Sequence, residues 1–72
     1  MTVDDVRQRI GAIQAAQWRP GHWDHEAAHG LEDGLHVEVL KHVAEQSSDV
    51  AARALAAEAL KTLDLDFERW CA

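Results

Sequence analysis

Cysteine occurs once in this sequence, at Cys71, so no disulfide can close within the chain and a disulfide-stapled secreted scaffold is excluded. Proline also occurs once, at Pro20, and there is no low-complexity tract, which sets the chain apart from disordered linkers. Long apolar runs are missing: no stretch approaches the roughly 18 residues of a membrane span. The first ten residues, MTVDDVRQRI, carry acids where a signal peptide needs bases, so the expected location is the cytoplasm. Positive charge is sparse. Seven Lys and Arg stand scattered against thirteen Asp and Glu, a formal net charge of −6. Nucleic-acid backbones and anionic membrane surfaces both require clustered cations, so neither is an expected partner.

What is present is a globular composition, 47% hydrophobic and 28% charged, in 72 residues. That length suits one helical domain spanning 1–72, near the lower limit for folding without a metal, a disulfide or a partner. The periodicity predicts three helices. Val3, Val6, Ile10 and Ile13 form one stripe over about 3–17, with Thr2 as N-cap and Asp4 and Asp5 at the positive end of the helix dipole. Trp18-Arg19-Pro20-Gly21 breaks the pattern as a turn.

A second helix is expected over about 24–46, capped by Asp24, with Ala28, Leu31, Leu35, Val39 and Val43 on one face and Leu40 at its edge. Gly30 and Gly34 each cost such a helix about 1 kcal/mol relative to Ala. They are read as tolerated weak spots or as room for another backbone. Ser47 or Ser48 would cap the third helix, about 49–63, whose stripe is Ala52, Leu55, Ala56, Ala59 and Leu63. An Asp49–Arg53 pair would add a few tenths of a kcal/mol. The expected fold is therefore all-α, a small antiparallel three-helix bundle with a C-terminal aromatic tail in which Phe67 and Trp70 help to close a thin core. No alternating β-branched run occurs, so no sheet is expected. A core of this size favours self-association, making a homodimer an expected assembly.

Residues 25–29 read HEAAH, which fits the H-E-x-x-H helix of zinc peptidases, where two imidazoles one turn apart hold the ion and the Glu activates water. The surroundings oppose that reading. The extended motif would need Gly at position 32 and His at position 35, where this chain has Glu32 and Leu35. The other form takes a Glu from a second helix, for which Glu58 is the candidate. A zinc-dependent hydrolase with Glu26 as base is thus the remotest expectation, and no catalytic residue is assigned.

The broader stripe carries more chemistry. His25, His29, Glu32 and His36 recur at spacings of four, three and four, one continuous line on a helix, with Asp33 a turn from His29. These are ligand types for zinc or another borderline ion, though one straight helix brings only neighbouring members to a common ion. The competing readings are a semi-polar helix edge, with imidazoles bonded to Glu32 and Asp33, and a pH-responsive row of histidines. Three tryptophans are the other unusual feature. Trp18 and Trp23 flank the Pro-Gly turn and Trp70 lies in the tail; Trp is enriched at interface hot spots and equally serves to close thin cores.

The run Asp24-x-Glu26-Ala27-Ala28-His29-x-x-Glu32-Asp33-x-Leu35-x-x-x-Val39-Leu40-x-x-Val43-Ala44, followed by Asp66-Phe67-x-Arg69-Trp70-Cys71-Ala72, resembles a group of short proteins of actinobacteria and their phages. The group has no assigned activity, so the resemblance implies a bacterial cytoplasm and no catalytic residue. His25 lies outside its pattern, which weakens the peptidase match further. The expectation is a non-enzymatic protein-interaction module, contacting a protein partner through Trp18, Trp23, Glu26, Asp33 and Trp70. The alternative is a zinc-binding helical domain using His25, His29, Glu32 and His36.

Overall fold

The structure, a computed structural model, describes residues 1–67. It is helical with one small addition. Helix α1 spans Val3–Ala16, strands β1 and β2 are Trp18–Arg19 and His22–Trp23, α2 spans His25–Gln46, and α3 spans Val50–Leu60 before a 3₁₀ turn at Lys61–Asp64. Among the described residues no helix is long and apolar enough to cross a membrane. Two compact units divide them, one over Met1–Leu35 and one from His36 onward, and α2 contributes to both. Of the expected aromatic tail, Phe67 is 55% exposed and so does not close a core, and Trp70 and Cys71 lie outside the described residues.

Each helix begins on a side chain that accepts the otherwise unpaired first-turn N–H groups. At α1 the Thr2 hydroxyl accepts from the Asp5 N–H at 3.2 Å, and the Asp5 carboxylate accepts from the Thr2 N–H at 2.7 Å, a reciprocal capping box. At α2 the Asp24 carboxylate accepts from the Ala27 N–H at 3.0 Å. At α3 the cap is Asp49, which accepts from Ala51 and Ala52 at 3.0 and 3.2 Å. The serines therefore do not cap this helix. Ser47 instead accepts from the Asp49 N–H at 3.1 Å and so orients the capping residue. Both capping bonds go to Asp49 Oδ1, and among the described residues the expected ion pair with Arg53 is not formed.

The sheet was not expected. Trp18 pairs with Trp23 and Arg19 with His22 in a two-residue antiparallel ladder across Pro20-Gly21. Pro20 presets the backbone entering the turn and Gly21 takes φ 93°, the combination of a type II turn. Two residues per strand are too few to show alternation, so only the turn itself is visible in the sequence.

Among the described residues of the first unit the buried apolar ones are Ala28 and Leu35, both on the predicted face of α2; Leu31, expected beside them, is 42% exposed. In the second unit Ala56 is buried, Ala52 and Leu60 are half-buried, and Leu55 is 74% exposed. The inward line of α3 is thus Ala52–Ala56–Leu60, at i, i+4, i+8, and Leu55 turns to solvent. A Cβ added at Gly30 meets nothing within 4 Å, and one at Gly34 meets only the far end of the Arg9 side chain, at 3.9 Å. Among the described residues neither glycine seats another backbone. Gly30→Ala should therefore raise stability by about 1 kcal/mol in a denaturant titration, because it only removes unfolded-state freedom. Gly21→Ala, at a positive φ, should lower it in the same assay.

Candidate functional site

Trp18 and Trp23 lie on the hairpin, and His25, Glu26, His29, Glu32, Asp33 and His36 lie along the first half of α2. The hairpin is closed on its backbone and on its side chains. Beyond the Trp18–Trp23 pair, the Asp24 N–H donates to the Gln17 carbonyl at 2.7 Å, extending the register by one step. The Arg19 guanidinium donates to the Asp24 carboxylate, whose other oxygen accepts from Ala27. One carboxylate thus ties β1 to the start of α2.

The cross-strand tryptophans meet edge to face, with ring centroids 4.9 Å apart and planes at 72°. This geometry sets the positive edge of one ring against the negative face of the other. His25 lies parallel to Trp23, centroids 6.0 Å apart at 9°. Trp18 is nevertheless 52% exposed and Trp23 60% exposed. These tryptophans pack on each other and present their remaining surface to solvent.

On α2, the i, i+3, i+4 spacing gathers His29, Glu32 and Asp33. Their ligand atoms all lie within 4.8 Å of one another, and His29 Nε2 is 3.6 Å from Asp33 Oδ1. His29 is half-buried, while the two carboxylates are exposed. The group keeps His29 and Glu32 of the predicted stripe and replaces its ends. His25 stacks on Trp23 and His36 is exposed, and neither belongs to the group. Asp33 is the member that the predicted ligand set lacked; its signal was the i,i+4 spacing from His29. Glu58, the sequence candidate for a peptidase's third ligand, accepts from Lys61 Nζ at 2.7 Å. Glu26 sits exposed in the first turn of α2. The second feature not anticipated is Arg19, whose bond to Asp24 depends on the unforeseen hairpin.

With the geometry in view, comparison with known proteins adds no relative: no family model, no curated protein and no solved structure matches the chain.

Among the described residues two carboxyls are perturbed, one of them at the junction of the hairpin with α2. The Asp24 carboxyl is held below its ordinary pKa, first by the hydrogen bond from the Ala27 N–H and then by that from Arg19. Asp5 is lowered likewise by its bonds to the Thr2 backbone and hydroxyl. A carboxyl with a depressed folded-state pKa contributes stability that is complete above its unfolded value and disappears as pH falls through the folded one. Unfolding free energy should therefore hold level, as far as these groups are concerned, from neutral pH down to about 5 and fall below about pH 4. Asp24→Asn should make that acid fall shallower; an unchanged slope in a pH series of denaturant titrations would contradict the assignment.

Proposed function

We propose that the chain is a non-enzymatic protein-interaction module whose contact surface is centred on the Trp18–Trp23 hairpin. The observation that carries this reading is the pair of mutually packed indoles left more than half exposed. A tryptophan carries roughly 150–250 Å² of surface that gains from burial, and clustered exposed apolar surface marks contact sites. The hairpin also holds both rings before any partner arrives, through the ladder, the Pro-Gly turn and the Arg19–Asp24 bond. That lowers the ordering cost of binding. Glu26 and Asp33, exposed on α2, supply polar acceptors on the same unit. The resemblance of the Asp24–Ala44 run to short actinobacterial and phage proteins supports a bacterial cell as the setting.

Trp18→Ala combined with Trp23→Ala should abolish capture of protein partners from such a cell while leaving the helical circular dichroism in place. Partners retained by a folded double variant would remove this reading.

A second reading rests on the His29–Glu32–Asp33 group. One imidazole and two carboxylates suit zinc or another borderline divalent ion, with the remaining coordination positions left to water or a partner's ligand. An ion that binds only the folded chain stabilises it. Added zinc should raise the melting temperature; His29→Ala should remove that response and His36→Ala should not. A zinc response untouched by His29→Ala, or none in the wild type, would eliminate the site.

A further inference from the structure

We infer that the Trp18–Trp23 corner accepts a cationic side chain, and that the partner it fits is a basic, Lys- or Arg-bearing protein segment. This deepens the interaction reading and rests on it. Three observations converge on a cation. The first is the shape of the aromatic surface. Two indole planes at 72°, both more than half exposed, form an aromatic corner whose uncovered surface is open to one occupant, with His25 stacked on Trp23 beside it. An indole face is electron-rich, and Trp is the strongest of the side chains in binding ammonium and guanidinium groups through it.

The second is the local charge. From Gln17 to Glu26 the only Lys or Arg is Arg19, and its guanidinium is engaged by the Asp24 carboxylate. An incoming anion would have to compete with Asp24 for it. An incoming cation meets an Arg19 whose charge is already balanced by Asp24, and it finds Glu26 exposed three residues beyond Trp23. The third is the field of the whole chain. Thirteen acids against seven Lys and Arg give −6, which draws basic segments toward the protein and repels acidic ones. A purely apolar occupant would use the ring surfaces but not the charge.

The test uses the full chain, isotope-labelled and followed by amide chemical shifts, titrated with a short peptide alternating Lys and Gly and with its Glu-Gly counterpart. The Lys peptide should produce saturable shifts centred on residues 17–26 that weaken as salt is raised, and the Glu peptide none. Trp18→Leu with Trp23→Leu keeps apolar bulk but removes the ring faces, and should weaken the Lys peptide roughly fivefold or more. The corresponding Phe pair should retain part of the affinity. Where the double Leu variant loses helical circular dichroism, Trp18→Leu alone serves as the readout, with a smaller loss expected. Equal affinity of wild type and Leu pair, shifts centred away from the hairpin, or equal binding of the Glu peptide would each overturn the inference. The two readings fail separately. Tryptophan-dependent capture of a partner, without Lys-peptide binding, keeps the interaction module and discards the cationic occupant. Lys-peptide binding at the hairpin, with partner capture intact in the Ala pair, does the reverse.

Discussion

The Asp24 carboxylate is the constraint on which the first unit depends. It terminates the hairpin and starts the long helix at the same atom group, accepting from Arg19 on one side and from the Ala27 N–H on the other. Its own backbone N–H closes on Gln17. A two-residue ladder is far below the size at which a hairpin is stable by itself. The Pro20-Gly21 turn brings the strands together, and the Asp24 bonds hold them beside α2. The tryptophan pair, and hence the proposed contact surface, sits directly on that junction.

The same economy of packing explains why the aromatics are outside. Among the described residues the buried side chains are Ala28 and Leu35 in the first unit and Ala56 in the second. Alanine permits close approach but leaves little volume for an indole to fill. Large apolar side chains are therefore found at the surface: Trp18 and Trp23 on the hairpin, Leu31 on α2, Val50 and Leu55 on α3. Single exposed aliphatic residues are ordinary in folded proteins. Two indoles locked edge to face on a braced turn are a more specific arrangement, since their orientation is set before any partner is met.

Much of this was legible from residue types, and the exceptions have physical causes. Caps are local, so Thr2, Asp24 and the break before the third helix could be read directly. Ser47 and Ser48 are capping residue types placed just before Asp49, but a carboxylate one step nearer the helix takes both N–H groups. The face of α2 was legible because histidines and acids mark its polar side. The phase of α3 was not: VAARALAAEAL has too few polar residues to say which side faces out, and Leu55 went to solvent. The hairpin escaped because two-residue strands have no period. That omission carried into the site. A helix wheel puts His25 in line with His29, but the hairpin delivers Trp23 to stack on His25, and the ligand atoms cluster on His29, Glu32 and Asp33 instead.

Whether one carboxylate holds the tryptophan corner in place can be read most directly from proton NMR of the indole rings in the wild type and in Asp24→Ala. Strong cross-strand Overhauser contacts between Trp18 and Trp23 are expected in the wild type, as their 4.9 Å centroid separation requires. These contacts should fade in Asp24→Ala while the helical contacts of α1 persist. Undiminished indole contacts in that variant, or none in the wild type, would contradict that role for Asp24.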